Sequence, residues 1–256
     1  MFNMQKKEDA SLRLDREIDF HERRFATNDG HRNEDKFYRA LYSLERDFIH
    51  AVHKFGADSD VLDYGCGSGE RAISLANNLN AKSIIGIDIS QNAIELATSQ
   101  ALQFPVRPTF RVDNCESTSL PAQCLDLVYG NGIIHHLDTK KSVIELKRML
   151  RPNGHIVFYE PLGTNPFINL YRYFTPKSRS PDEHPLLAID FKIMRECFSD
   201  LSLTYYGFLT IMALPLYRTA KDSAIYKFAE YLDGFLFHYI PPFRLFAWTV
   251  LIVAKK

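Results

Sequence analysis

The spacing of apolar positions changes along the chain, and each spacing predicts a different kind of secondary structure. Through residues 1–55, apolar side chains recur at helical spacing among many charges, which predicts one or two amphipathic helices. From residue 60 onward, short apolar runs alternate with helical stretches. These predict strands at 61–63, 83–87, 109–112, 125–129 and 155–159, with helices at 70–79, 92–102 and 143–150.

The alternation of strands and helices predicts an α/β fold, because parallel strands need a helix-sized crossover between them. The pattern changes again after residue 160, where five prolines fall within 161–185. Beyond them the sequence predicts a helix at 188–198 and strands at 201–208 and 248–253. Since these two strands lack the usual crossover, we expect an antiparallel pair at the end of the sheet.

The most informative motif is the turn after the first predicted strand, VLDYGCGSGE at 61–70. Its glycines, Gly65, Gly67 and Gly69, allow positive φ angles and let a ligand approach the backbone. The helix that follows presents N–H groups to a polar ligand. The spacing is G-x-G-x-G rather than the dinucleotide G-x-G-x-x-G, and Asp63 precedes it. A carboxylate there repels a pyrophosphate but can accept hydrogen bonds from an ammonium group.

A second carboxylate, Asp88, ends the second predicted strand. One carboxylate can accept hydrogen bonds from both hydroxyls of a ribose at the carboxyl end of a strand. By itself Asp88 is equally well explained as a residue beside a helix N-terminus. Together with the glycine turn, it predicts a nucleoside site.

Composition and charge argue against several classes of binding partner. The chain has 31 Lys and Arg against 31 Asp and Glu, so it lacks the basic excess that drives nucleic-acid binding. Hydrophobic residues make up 46%, enough for a large core. The four cysteines form no CxxC pair, which argues against a metal site and favours reduced thiols in a cytoplasmic protein. No apolar run is long enough to predict a membrane span.

Four segments, VLDYGCGSGE, IIGIDIS, VDNCESTSLP and LDLVYGNGIIHHL, resemble in this order the class I S-adenosylmethionine-dependent methyltransferases, of the small-molecule type. The resemblance covers residues 61–159. It implies a Rossmann-like, mostly parallel seven-stranded sheet of order 3-2-1-4-5-7-6, with strand 7 antiparallel and helices on both faces. It also implies an N-terminal helical lid at 1–55 and a methyltransferase domain at 56–256. That domain would carry substrate-facing insertions at 161–187 and 212–243.

The same resemblance implies a site for the cofactor S-adenosyl-L-methionine. The glycine turn would lie along the methionine part, with Asp63 near its ammonium group, and Asp88 would hold the ribose. Asp113 and Asn114 would contact the adenine, and Asn131 would lie near the sulfonium. The expected cofactor-binding residues are Asp63, Gly65, Cys66, Gly67, Gly69, Asp88, Ile89, Asp113, Asn114 and Asn131.

The implied reaction is in-line transfer of a methyl group to an O or N atom, less often C, of a small molecule. A natural product, sugar, quinone or lipid-linked acceptor would fit. An acceptor that carries a proton also needs a base. His135, His136 and Glu160 follow the fourth and fifth predicted strands and are the catalytic candidates, which the sequence does not separate. Each also has a structural interpretation, as a packed histidine or a paired carboxylate.

Two other functions fit parts of the pattern. A nicotinamide dehydrogenase is disfavoured by the glycine spacing and by Asp63, and a catalytically silent methyltransferase-like scaffold is disfavoured by the intact pocket motifs. Among partners, a homodimer is left open. The aromatic-rich stretch 224–239 predicts a helix. Its aromatic side chains from 226 to 239 either pack on the sheet or form an apolar wall, and a wall would permit contact with a membrane surface.

Overall fold

A seven-stranded sheet of order β3-β2-β1-β4-β5-β7-β6 forms the centre of the protein. The computed structural model describes residues 2–26, 37–175, 180 and 182–256. The first five strands pair in parallel, and β7 runs antiparallel to both β5 and β6. The strands are β1 Asp60–Tyr64, β2 Ser83–Asp88, β3 Thr109–Val112, β4 Leu125–Asn131, β5 Leu150–Pro161, β6 Ser199–Tyr206 and β7 Thr249–Lys255. The predicted α/β fold and strand order are confirmed.

Helices lie before, between and after the strands. The α-helices are α1 Phe2–Ala26, α2 Tyr42–Gly56, α3 Glu70–Ala76, α4 Gln91–Ala101, α5 Thr139–Met149, α6 Pro166–Phe174, α7 Ala188–Cys197, α8 Leu209–Met212 and α9 Ala224–Tyr239. Short 3-10 helices lie at Tyr38–Leu41, Ile134–His136, Leu214–Leu216 and Pro241–Phe246. Helix α5 begins earlier than predicted, because the Asp138 carboxylate caps it by accepting a hydrogen bond from the Lys141 N–H at 3.1 Å.

Strand β5 is longer than the sequence predicted. The sequence Arg151-Pro152-Asn153-Gly154 by itself predicts a turn between a helix and a strand, but these residues lie within β5. There the pairing with β4 jumps from Leu125↔Leu150 to Leu127↔His155, so the intervening residues bulge out of the ladder. Asn153 takes a φ of 66° within this bulge. The predicted turn is therefore wrong as the boundary of β5, although the backbone does bend out of the ladder at these residues.

Two apolar layers bury the sheet. On one side, α2 contributes Leu44, Phe48 and Val52, which are 1% exposed or less and pack with Val61 and Leu127 of the strands. A separate cluster joins α5 and α7 to the sheet and includes Val143, Leu146, Phe191 and Met194. These layers fix the carboxyl ends of the parallel strands at one edge, where open α/β sheets bind ligands.

The N-terminal segment predicted as a lid, 1–55, contains two helices with different attachments; residues 27–36 lie outside the described part. Helix α2 belongs to the buried core. In α1, Glu17 is the one buried residue among the side chains that the structure describes. The lid over 1–55 and the insertions at 161–187 and 212–243 stay predictions as domain boundaries, and residues 176–179 and 181 also lie outside the described part.

The predicted aromatic helix is α9, and its rings divide between two environments. Tyr226 and Phe237 are buried, whereas Phe228, Tyr231 and Tyr239 are 64–69% exposed. The segment therefore packs with one face only, and its contact with a membrane surface or a second copy stays a prediction. Within the described residues, none of the helices combines the length and apolar character needed to cross a bilayer.

Candidate active site

The glycine turn after β1 has the conformation that its sequence predicted. Gly65, Gly67 and Gly69 have φ angles of 74°, 51° and 76°. The N–H groups of Gly65 and Cys66 both donate to the carbonyl of Ile87 in β2, at 2.9 and 2.8 Å. These bonds press the turn against the end of the neighbouring strand. Only glycine adopts such angles at little cost, so the turn depends on these three positions.

Asp88 holds the turn from the end of β2. Its Oδ2 accepts a hydrogen bond from the Gly67 N–H at 2.8 Å, and its Oδ1 accepts one from the Ser90 N–H at 3.0 Å. Each carboxylate oxygen has a further lone pair with which to accept a ligand hydroxyl. Asp88 therefore shapes the turn and still offers two acceptor atoms to a ribose.

Asp63 is a buried carboxylate whose Oδ2 has no hydrogen-bond partner among the described residues. Burial raises the pKa of Asp63 to about 7, while the charge of Arg71 and a contact with the Tyr129 hydroxyl act in the opposite direction, and the charge of Asp88 adds a smaller rise. An orphaned buried carboxylate oxygen is costly unless a donor reaches it. This oxygen therefore fits a ligand that brings a cationic donor, such as an ammonium group.

A cavity lies between the carboxyl ends of the strands and α1. Helix α1 forms one wall with Arg13, Leu14, Glu17 and His21. The opposite wall consists of Gly65, Asp88, Ile89, Asn114, Cys115, Glu116, Ile133, His136 and Leu137.

The cavity brings together only part of the predicted site. Five of the predicted residues line it: Gly65, Asp88, Ile89, Asn114 and His136. The others lie behind this lining or next to it: Asp63, Cys66, Gly67, Gly69, Asp113, Asn131, His135 and Glu160. Asp113 has a structural partner of its own, since it accepts hydrogen bonds from the Ser119 N–H and hydroxyl. Its contact with adenine stays a prediction.

His135 and Glu160 form a buried pair where β4 and β5 end. The distance from His135 Nδ1 to Glu160 Oε2 is 2.7 Å. The other oxygen of Glu160 accepts hydrogen bonds from the N–H groups of Ile133 and Ile134, at 2.9 and 2.8 Å. Glu160 is fully buried and is satisfied by these three groups. It therefore positions His135 and the 3-10 turn, and it does not face the cavity.

His136 faces α1 instead. Its Nδ1 lies 3.3 Å from Oε2 of Glu17, and its carbonyl accepts a hydrogen bond from Arg13 at 2.9 Å. Burial lowers the pKa of His136, an effect that Glu17 partly opposes. Burial also acts to raise the pKa of Glu17, but its contacts with His136, His21 and Ser180 outweigh this and bring that pKa below its usual range.

Further polar contacts hold α1 over the strand ends, and no local pattern in the sequence predicts which residues make them. Arg16 donates two hydrogen bonds of 2.7 Å to the carboxylate of Asp182. Glu22 accepts from the N–H groups of Gln91 and Asn92 at the start of α4, at 2.6 and 3.2 Å. Contacts between residues this far apart in sequence have no local pattern. The only available signal was the density of charges in α1.

The sheet order and the glycine turn are those of the class I methyltransferases, and residues 61–154 match the family model "Methyltransferase domain". This part of the chain is a class I S-adenosylmethionine-dependent methyltransferase domain. The resemblance inferred from the sequence is thus confirmed, and the methyltransferase domain contains both the glycine turn and the His135–His136 turn.

Curated relatives match this domain over part of their length. A ubiquinone/menaquinone biosynthesis C-methyltransferase of Syntrophotalea carbinolica is 31% identical over 118 residues, which are 45% of this chain and 50% of that protein. Phosphoethanolamine N-methyltransferase 3 of Arabidopsis thaliana is 28% identical over 123 residues, which are 48% of this chain and 23% of that protein. The match therefore spans half or less of these relatives.

A solved structure extends the likeness in fold. The geranyl diphosphate C-methyltransferase from Streptomyces coelicolor, in complex with S-adenosyl-L-homocysteine, has a TM-score of 0.59 at 15% identity. The match covers 84% of this chain and 79% of that one. At this identity it shows that the chains share a fold, and the residues of the site must be argued from their own geometry.

Proposed function

We propose that this protein transfers a methyl group from S-adenosylmethionine to an O or N atom of a small molecule. The observation that carries the proposal is the joint placement of the glycine turn, Asp88 and the orphaned oxygen of Asp63. Together they offer backbone, a pair of acceptors and a buried negative charge to a ligand with a ribose and an ammonium group. When bound, S-adenosylmethionine supplies a methyl group already activated on a sulfonium.

Individual residues would hold different parts of this cofactor. Asp63 would accept from the ammonium group, and the cation would relieve the cost of burying that carboxylate. Asp88 would accept from the ribose hydroxyls. Ile89 and Asn114 line the same cavity and would border the adenine. Helix α1 would exclude water from the cofactor, which favours an in-line transfer between two positioned atoms.

For the proton of the acceptor, we infer that His135 is the base. Its Nδ1 faces the Glu160 carboxylate, so Nδ1 carries the proton and Nε2 is the nitrogen that can accept another. A buried carboxylate that orients a histidine in this way also stabilises the charged ring after proton transfer. Glu160 is then a positioning residue. The carboxylate that faces Nδ1 of His136 is instead that of Glu17, which belongs to α1.

The names of the relatives and neighbours support a small-molecule acceptor and no narrower class. They name a quinone pathway, phosphoethanolamine and geranyl diphosphate, which differ in charge and in the methylated atom. The cavity wall from α1 combines Arg13 with Leu14 and His21, so polar and apolar groups would both meet the acceptor. A homocysteine-release screen over phenols, amines and phosphorylated small molecules would identify it.

The proposal is tested by calorimetric titration with S-adenosylhomocysteine. Wild-type protein should bind it, and Asp88→Ala should bind about 100-fold more weakly, because two charge-assisted hydrogen bonds are lost. Asp222→Ala, an exposed carboxylate, is the matched control and should bind as wild type does. Equal affinity in wild type and Asp88→Ala, or binding of NAD in place of the homocysteine compound, would show that the pocket is wrongly assigned.

The base is tested with Glu160→Gln. The amide keeps an acceptor for the N–H groups of Ile133 and Ile134 but cannot support the protonated ring of His135. Turnover should fall about 100-fold or more, while affinity for S-adenosylhomocysteine stays unchanged. The acidic limb of the pH–rate profile should also move. Full turnover in Glu160→Gln and in His135→Ala would remove His135 from the mechanism.

A further inference from the structure

We propose that Glu17, His21 and His136 form a binding site for a divalent transition-metal ion, Zn²⁺ by the chemistry of its ligands, where α1 meets the methyltransferase domain. The site does not depend on the proposed methyl transfer. The cysteine spacing argued against a metal centre, but none of these donors is a cysteine, and two of them come from α1.

The fold brings the three side chains together from two directions. Glu17 and His21 are four residues apart in α1, so they project from the same face of that helix. His136 reaches them from the 3-10 turn after β4. One carboxylate oxygen and two imidazole nitrogens then lie within 4.8 Å of one another. All three residues line the cavity.

The distances match the edges of a tetrahedral site. The separation from His21 Nε2 to Glu17 Oε2 is 3.5 Å, and that from His136 Nδ1 to the same oxygen is 3.3 Å. With metal–ligand bonds of about 2.0–2.1 Å, two ligands of a tetrahedral zinc ion lie about 3.3 Å apart. An ion therefore fits among these atoms with small adjustments of side-chain position.

Two of these three ligand atoms lack hydrogen-bond partners among the described residues. Glu17 Oε2 and His136 Nδ1 are buried, and neither has a hydrogen bond of acceptable geometry with any described residue, although they lie 3.3 Å apart. Two facing polar atoms that are both left unsatisfied need an explanation. A cation between them satisfies both. The other oxygen of Glu17 accepts the Ser180 hydroxyl, a contact that would hold the carboxylate in place as a ligand.

Neighbouring charges do not oppose a cation strongly. The nearby arginines are already engaged, since Arg13 pairs with Glu116 and Arg16 pairs with Asp182. A second set of donors, His135, His136 and Glu183, shares one member with the first. We favour the first set, because it alone combines His136 with a buried carboxylate oxygen that has no hydrogen-bond partner among the described residues.

The donor set selects the ion. Two imidazoles with one carboxylate suit Zn²⁺, and three protein ligands leave a fourth position for water or for a molecule in the cavity. Because two ligands lie on α1 and one in the methyltransferase domain, the bound ion would fasten the helix over the cavity. Metal affinity and closure of α1 would then be linked.

The test is direct titration of chelator-treated, tag-free full-length protein with Zn²⁺ by calorimetry, and with Co²⁺ by visible absorption. Wild type should bind one ion per chain, and bound Co²⁺ should give the intense bands of a tetrahedral site. His21→Ala and Glu17→Gln should each weaken binding about 100-fold or more, since loss of a ligand exceeds the effect of losing an outer contact. His50→Ala, an exposed histidine on α2, should bind as wild type does.

The proposal is overturned if wild type takes up no Zn²⁺, or if His21→Ala and Glu17→Gln bind it as tightly as wild type. Weaker binding in His50→Ala of the same size would also overturn it, because the ion would then sit on scattered surface histidines. Titration with S-adenosylhomocysteine keeps the two proposals separate. A protein that binds Zn²⁺ at this site but not the nucleoside would contradict the proposed function alone.

Discussion

Helices α1 and α2 are both charged and amphipathic, yet they are attached to the protein by different forces. Helix α2 buries Leu44, Phe48 and Val52 against the sheet, as part of the core. Helix α1 is held mainly by charged and hydrogen-bonding side chains, among them Arg16 and Glu22. The first attachment depends on the apolar area removed from water, and the second depends on charge, pH and salt.

This difference indicates which helix is structural and which can move. Removing an apolar helix from a core exposes the sheet, so α2 must unfold with the domain. Lifting α1 exchanges its polar contacts for water at a small net cost, because each such contact contributes little beyond what water supplies. We therefore expect α1, rather than α2, to be the helix that lifts to admit a ligand.

The largest effect is expected from Phe48→Ala in α2. Phe48 is fully buried and lies edge-on to Tyr129 and Tyr159. Its truncation should lower the free energy of unfolding by about 3–5 kcal/mol, because a cavity forms in the core. Urea unfolding followed by circular dichroism measures this. Phe228→Ala, on the exposed face of α9, is the control and should change stability little. Equal losses in both variants would contradict the assignment of α2 to the core.

Arg13→Ala in α1 should have a smaller effect, and it should change ligand affinity instead of stability. Arg13 joins the helix to Glu116 and to the carbonyl of His136. Loss of both contacts should weaken binding of S-adenosylhomocysteine about 10-fold, with little change in the urea midpoint. Arg23→Ala is the control on the same helix, because Arg23 is largely exposed and pairs with Asp19 one turn away. If Arg13→Ala lowers stability but not affinity, α1 is part of the core after all.

The smallest effect is expected on the protection of α1 amides from hydrogen exchange, which should decrease as the pH falls. Burial holds the pKa of His136 below its ordinary value of 6.5, so the open state protonates first and closure weakens as the pH falls through 6.5. The pKa of Glu17 lies below its usual 4.5, so its contribution is present above that value and is lost in stronger acid. Both shifts therefore weaken closure in acid.

Hydrogen exchange at pH 7.5 and 5.5, corrected for intrinsic rates, checks this window. Amides of α1 should lose protection several-fold at the lower pH, whereas amides of α2 should not, because its attachment is apolar. Loss of protection in both helices together would mean that acid unfolds the domain and does not lift α1.

The sequence predicted best where local pattern and local chemistry agree. Strand β3 and the aromatic helix α9 have the bounds that the sequence predicted. The conformation of the turn at Gly67 followed from the spacing of the glycines alone. The strand order came from the family resemblance, since no local feature encodes which strands become neighbours.

The candidate site was predicted only in its domain half. Asp88 and Asn114 come at or just after the carboxyl ends of predicted strands, where open α/β sheets bind ligands. Both residues line the cavity. Glu17 and His21 were missed, because each is an ordinary polar residue of a charged helix until tertiary contact sets it opposite His136. The two histidines of the HHL motif looked alike in sequence, and only their partners, Glu160 and Glu17, give them different surroundings.

The missing side chain at Gly67 has a second consequence. A Cβ there would lie 3.2 Å from Cζ of Phe25, so the ring at the far end of α1 rests directly on the bare backbone of the turn. Gly67 thus allows the turn to bend and also leaves space for Phe25 of α1 to pack on it. Any larger residue would be disfavoured twice, once by its own dihedral angles and once as a wedge beneath the closing helix.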